Sequence, residues 1–452
     1  MKQSIDVQDF INKRPLSAYQ WLILLICTVV AAVDGIDVAV IGFIVPSLTH
    51  EWGVTKAAMG SVIGIGLFGL AIGSLCAGPL ADRYGRKTML MAAMLLCGLG
   101  SLGCASADTL ASLTVWRFLT GLGMGAALPS ATTILAEYTP ERDRARFIAV
   151  MLLGFTLGSA GVGFIAAAML PTLGWKGILV LCGVLPLLMF ALVAWTLPES
   201  ARFMVVRQQA GERIARALRR ISGVRFEPDA AFTLPEMKPN ASRSSVGTLF
   251  SNGMGLGTLM LWAACFMGLL VIYLLSSWLP TLIKDSGQPM EKAATVAAGF
   301  MLGGALGGLA VGWVMDKTKP HYAVAVAYLI GAAIVFVIGK GVSSLAVLQA
   351  LVFLAGFFTT GSQTSICTLA AAFYPTQGRA TGVAWMLGIG RFGAITGATS
   401  GGLMLGAGWG IGSVFAALAV PGLLAGVAIA IKGLRYGDSQ DAALGGAGTY
   451  AH

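Results

Sequence analysis

Two aspartates three residues apart, Asp34 and Asp37, stand inside an otherwise apolar stretch that runs from about Tyr19 to Pro46. On a helix that spacing puts both carboxylates on one face. An unpaired carboxylate in hydrocarbon costs several kcal/mol, so the pair implies a partner or a task. Two carboxylates close together at low dielectric cannot both ionise easily, which is the property a proton-carrying site needs. The bland alternative is a permanent ion pair with an arginine. Two arginines also fall within apolar stretches: Arg117, about 12 Å into its own, and Arg391, about 18 Å beyond Arg379 at 1.5 Å per helical residue. Arg117 needs a counter-charge, and either the Asp34/Asp37 pair or Glu137, toward the far end of the same stretch, could supply it. Competition between substrate, proton and Arg117 for one carboxylate would couple their binding. Arg391 could hold a substrate carboxylate by a bidentate hydrogen-bonded pair. Arg379 suits a gate or a membrane-edge anchor as well as a ligand contact.

The elements that position these groups follow from composition. Of 452 residues, 56% are apolar and 11% charged, far outside the range of soluble domains. Sixty-one glycines suit helices that pack closely in a bilayer. Apolar stretches long enough to cross occur at 19–46, 57–79, 88–106, 109–136, 147–170, 177–197, 255–282, 293–315, 321–339, 344–372, 380–404 and 410–431. The reading is an all-α integral membrane protein of twelve helices. Placing both termini and alternate loops in the cytoplasm puts 23 Lys/Arg inside, 5 outside and 2 within helices, as the positive-inside rule requires. This divides the chain into a cytoplasmic segment 1–18, a six-helix half 19–197, a cytoplasmic linker 198–254, a second six-helix half 255–431 and a cytoplasmic tail 432–452. A short surface helix is expected around Gly211 to Ile221. The seven cysteines are scattered within apolar stretches without metal-ligand spacing, so neither a metal site nor a disulfide framework is indicated, and no cofactor motif occurs. The net charge of +10 fits basic loops beside membrane helices better than nucleic-acid binding. Of three histidines, His50 and His321 lie at span ends and His452 in the tail; only His321, beside Lys319, suggests a part in gating.

An internal repeat supports two pseudo-symmetric halves. Gly78-Pro79-Leu80-Ala81-Asp82-Arg83 recurs 234 residues later as Gly312-Trp313-Val314-Met315-Asp316-Lys317, and Leu153-Gly154 recurs as Leu387-Gly388 at the same offset. Tyr138-Thr139-Pro140 has a looser counterpart in Tyr374-Pro375. In folds built this way the substrate site lies near the midplane between the halves.

The first copy continues through Tyr84-Gly85-Arg86-Lys87, and the whole segment resembles the signature loop of the major facilitator superfamily. Gly78 and Gly85 would permit a tight turn there. Asp82, with Arg83 and Arg86 beside it, would pair with basic groups or a helix N-terminus across the interface between the halves and so bias the open state. The second copy, at Asp316, lacks the Gly-Arg-Lys tail. Asp34-Gly35-Ile36-Asp37 narrows the match, being similar to the Asp-Gly-x-Asp motif of the aromatic acid:proton symporter family. Pro198-Glu199-Ser200-Ala201-Arg202-Phe203, Ser277-Trp278-Leu279-Pro280-Thr281 and Tyr374 through Gly393 resemble its 4-hydroxybenzoate/protocatechuate branch.

The resemblance implies the major facilitator fold and proton-coupled uptake of an aromatic carboxylate by a monomer in the bacterial inner membrane. Benzoate, vanillate and gentisate are alternative cargoes, and a proton-driven drug exporter is the alternative direction. Phe266, Tyr273, Phe300, Trp385 and Phe392 are candidate walls for a ring, with Ser362 or Gln363 for its hydroxyl. No nucleophile or phosphate-binding loop points to an enzyme.

Overall fold

Hydrocarbon offers a backbone N–H or C=O no water to bond, so apolar stretches of this length close their hydrogen bonds as helices. The computed structural model describes residues 4–224, 226, 231–234, 246–251, 253–342, 344–375 and 378–448. Strand β1 (Ser4–Asp6) and helix α1 (Val7–Asn12) precede α2 (Ala18–Trp52), α3 (Lys56–Tyr84), α4 (Arg86–Ala105), α5 (Leu110–Tyr138) and α6 (Glu141–Thr196). The connecting segment holds α7 (Ala201–Val206), α8 (Gly211–Ser222), β2 (Ala231–Thr233) and a 3-10 turn at Val246–Leu249. The second set is α9 (Gly255–Asp285), α10 (Met290–Lys317), α11 (Pro320–Gly339), α12 (Leu345–Phe373), α13 (Arg379–Gly406) and α14 (Ile411–Gly448). His452, part of the connecting segment and positions 376–377 of the Tyr374 motif lie outside the described residues.

Among the described residues, ten helices are long and apolar enough to cross a membrane. Helix α6 has 56 residues, about 84 Å of rise against a hydrocarbon core of about 30 Å, and its backbone breaks at Gly174 with φ +64°. It is therefore two crossings. Helix α13, whose glycines and Arg391 dilute its hydropathy, is the twelfth. The fold adds a feature the all-α reading lacks: β1 and β2 form a parallel two-stranded sheet, with Ser4 opposite Ala231.

Packing divides the chain into two units. The first comprises residues 1–38, 68–159 and 176–239. Its core is built from Ile23, Val30, Ala127, Ile134, Met151 and Val193. Helix α8 buries Ile214, Ala217, Leu218 and Ile221 in the same core, alongside Val7 and Ile11 of α1. The second unit comprises 39–67, 160–175 and 240–452. In it the later part of α2 and the start of α3 pack on the second set of helices. Gly42 abuts Ser276 and Ser277, Gly60 abuts Gly402, and Lys56 Nζ lies 2.5 Å from Asp285 Oδ2. Trp175 Nε1 donates to Glu51 at 2.6 Å.

The repeat seen in the sequence is also a repeat of contacts. Within the first unit Gly69 and Gly73 of α3 press on the carbonyls of Phe118 and Leu122 of α5. Offset by 234 residues, Gly303 and Gly307 of α10 press on the carbonyls of Phe353 and Phe357 of α12. A Cβ at any of the four would collide with backbone, so each half keeps glycine where two helices touch.

Candidate functional site

Asp37 and Asp34 are both buried on α2, at 2% and 5% exposure. Three helices meet at Asp37. Ser101 of α4 donates its hydroxyl to Asp37 Oδ1 at 3.1 Å and lies 3.3 Å from Oδ2. Arg117 of α5, itself 3% exposed, places Nη1 3.9 Å from Asp37 Oδ1. That is an ion pair too long to be a hydrogen bond. Arg117 Nε and Nη2 have no hydrogen-bond partner among the described residues. The arrangement comes from small residues: Gly35 presses on the Phe155 carbonyl of α6 and Gly100 on Thr120 of α5, drawing α2, α4, α5 and α6 together. A buried guanidinium with donors in hand, facing a carboxylate that one hydroxyl already orients, can change partners when the carboxylate takes up a proton. Ser101 is a member that sequence reasoning missed, since one serine in a glycine-rich helix carries no signal of its own.

Glu137 belongs elsewhere. It stands about 30 Å along α5 from Arg117, with Oε1 3.4 Å from Arg86 Nε and its other oxygen accepting the Ser200 hydroxyl. It thus joins the signature segment, where Asp82 Oδ1 lies 2.7 Å from Arg86 Nη2. The segment is less of a loop than expected. Gly78, Asp82 and Arg83 are helical residues of α3, and the turn is confined to Gly85, whose φ is +105°. A side chain at Gly85 would strike the Glu199 carboxylate, which accepts the backbone N–H of Lys87 at 3.0 Å and of Ser200 at 2.9 Å. Arg207 donates to the carbonyls of Asp82 and Arg83, closing α3 at 3.0 and 3.2 Å. Asp82 therefore pairs within its own segment, and the Pro198–Phe203 motif is what braces it. Asp316, at the matching end of α10, is exposed, without an ion pair among the described residues.

In the second unit, Arg391 is half-buried on α13 and has no carboxylate partner among the described residues, while Arg379 begins that helix exposed. Gln363 of α12 is buried; its Oε1 accepts the Tyr328 hydroxyl of α11 at 2.7 Å, and its Nε2 lies 3.4 Å from Cys265 Sγ of α9. Ser362 spends its hydroxyl on the Phe358 carbonyl of its own helix at 2.6 Å. Of the two candidates for a ring hydroxyl, Gln363 is the one tied into a network between helices. Phe300 is fully buried, its backbone against Gly356, which makes it a packing residue. Phe266 and Tyr273 are half-buried on α9. Phe392 is 60% exposed, and Trp385, 45% exposed, stacks on Trp262 at 6.1 Å and 20°. Lys432, counted from sequence as part of the tail, is instead fully buried on α14, 2.7 Å from His321 Nε2 and 4.5 Å from the Phe373 ring.

Twelve helices in two repeated halves, with charged side chains buried inside them, define a secondary transporter. The sequence profile of the Major Facilitator Superfamily matches residues 27–339 and 291–444, and the chain belongs to that family. It is 49% identical to the 4-hydroxybenzoate transporter PcaK of Pseudomonas putida over 96% of each chain. It is 47% identical to the gallate transporter of the same species over 95% of each. Among solved structures, a bacterial homolog of the human lysosomal transporter Spinster superposes with a TM-score of 0.70 at 17% identity, covering 94% of this chain and 98% of that one.

Proposed function

We propose that the protein imports an aromatic monocarboxylate, 4-hydroxybenzoate or protocatechuate foremost, together with protons, as a monomer in the bacterial inner membrane with both termini in the cytoplasm. The observation that carries this reading is the buried Asp37–Ser101–Arg117 constellation, in a chain nearly half identical to a 4-hydroxybenzoate transporter along almost its whole length. Protonation of Asp37 removes the charge that holds Arg117, and deprotonation restores it, so proton occupancy biases the packing of α2, α4 and α5. Asp34, one helical turn away and also buried, shares the task. Arg391 is the anchor for the substrate carboxylate, with Phe266 and Tyr273 beside the ring and Gln363 receiving its hydroxyl. The Asp82–Arg86–Glu137 network, braced by Glu199 and Arg207, is the gate.

One proton per monoanion would draw only on the pH gradient, about 1.4 kcal/mol per unit, while a second adds about 2.3 kcal/mol per 100 mV of potential. The test is uptake of radiolabelled 4-hydroxybenzoate by cells expressing the chain, with and without a protonophore. Accumulation abolished by the protonophore supports the reading. Accumulation lower than in cells without the protein would replace it with the exporter, and uptake of benzoate, vanillate, gentisate or gallate in preference would move the cargo and keep the mechanism.

A further inference from the structure

Helix α8 carries four arginines, Arg213, Arg216, Arg219 and Arg220, all exposed and none within ion-pairing distance of a carboxylate among the described residues. Its apolar side is committed to the core, so the charge is held outward. The last turn of α8 stands beside the start of α2, and an open recess of about 580 Å³ lies between them, lined by Ser17, Tyr19, Leu22, Arg220 and Ser222 among others. The Arg220 guanidinium approaches the Tyr19 hydroxyl, and Lys87 adds a second positive charge nearby.

From the recess an apolar track descends α2. Leu22, Leu25 and Val29 are 38%, 58% and 38% exposed, and their spacing of three and four residues places them in line on one helix face, with Trp21 at 54% beside them. Side chains so apolar and so exposed on a membrane-crossing helix face lipid tails. A solvated basic face would need no such track. Here a cationic recess opens directly onto one, which matches a molecule with an anionic head and a hydrocarbon tail.

We propose that this recess binds an anionic glycerophospholipid of the phosphatidylglycerol class. Its phosphate sits on Arg220, with the Lys87 charge nearby, and an acyl chain follows Leu22, Leu25 and Val29. Bound there, the lipid joins the linker helix α8 to α2, the helix that carries Asp34 and Asp37.

The test uses the full-length protein, delipidated in detergent, titrated with phosphatidylglycerol or with phosphatidylcholine of the same chains and read by native mass spectrometry. Phosphatidylglycerol is expected to be retained in preference. Arg220→Gln should lower its affinity about fivefold, from roughly 1 kcal/mol per basic residue near an anionic surface. Arg220→Lys should keep most of the affinity, and Lys340→Gln, which removes an exposed charge elsewhere, should leave it unchanged. Leu25→Gln should weaken lipid binding too, because the track is half of the site. Equal retention of the two lipids, or affinity indifferent to both Arg220→Gln and Leu25→Gln, overturns the proposal. So does displacement of phosphatidylglycerol by millimolar inorganic phosphate, which would make the recess a site for free anions.

Discussion

Asp37 and Arg117 face each other across 3.9 Å with both side chains almost fully buried. At that separation and an effective dielectric of about 20, opposite unit charges attract by about 4 kcal/mol. Removing one partner of a buried pair strands the other at a cost of about 3–5 kcal/mol, whereas replacing both is close to neutral. The two single substitutions are not equivalent. Arg117 cannot shed its charge, so Asp37→Asn leaves the guanidinium charged with only a neutral amide at 3.9 Å. Asp37 can neutralise itself by taking a proton, and Ser101 still bonds it, so Arg117→Met should be the milder change. The expected order of thermal stability in detergent is wild type and Asp37→Asn/Arg117→Met together at the top, then Arg117→Met, then Asp37→Asn. The lowest should fall by roughly 5 °C, taking about 1–2 °C per kcal/mol for a chain of this size. The readout is thermal unfolding of the four purified proteins, with substrate counterflow in vesicles as a second measure. Asp37→Asn should exchange substrate across the membrane without accumulating it. If the single Asp variant matches wild type in thermal unfolding and still accumulates substrate under a proton gradient, or the double variant is no more stable than Asp37→Asn, the pair is not the coupling device.

Three further outcomes follow from the geometry. Gly85→Ala forces a side chain into a positive-φ position against Glu199 and should cost about 1–3 kcal/mol in thermal unfolding, whereas Gly78→Ala, a helical site with open space around it, should be neutral or stabilising by up to about 1 kcal/mol. Arg391→Lys keeps the charge but loses the bidentate geometry, so KM for 4-hydroxybenzoate should rise roughly tenfold with little change in kcat, measured by initial uptake rates. Tyr328→Phe removes the hydroxyl that orients Gln363; KM should rise several-fold, at about 1 kcal/mol for the bond, for 4-hydroxybenzoate and less for benzoate in the same assay.

The chemistry was legible in the sequence wherever a residue broke an apolar run. Asp34, Asp37, Arg117 and Arg391 stood out because hydrocarbon penalises them, and they do lie in membrane helices. Their partners were not legible. That Glu137 is out of reach follows from helical rise alone, about 30 Å along the same helix, but that Arg117 faces Asp37 depends on the register between α2 and α5, which no local pattern fixes, and Ser101 reads like any small residue of a close-packed helix. Gly78 and Gly85 look alike in a motif, yet only Gly85 has the left-handed backbone that demands glycine. Helix α8 was readable from its alternation of arginine and apolar residues. The β1–β2 pair was not, because three-residue strands at Ser4 and Ala231 carry no periodicity and meet only in the fold. Lys432, one residue past the expected end of its span, shows how a small boundary error turns a buried cation into a surface charge.

If substrate and proton cross together, the proton itself can be followed. Vesicles containing the purified protein and a trapped pH dye, with no imposed gradient of pH or potential, are given an inward gradient of 4-hydroxybenzoate. The lumen should acidify in a way that depends on substrate and is lost in Asp37→Asn. Entry of labelled substrate with no change in lumenal pH would contradict that coupling.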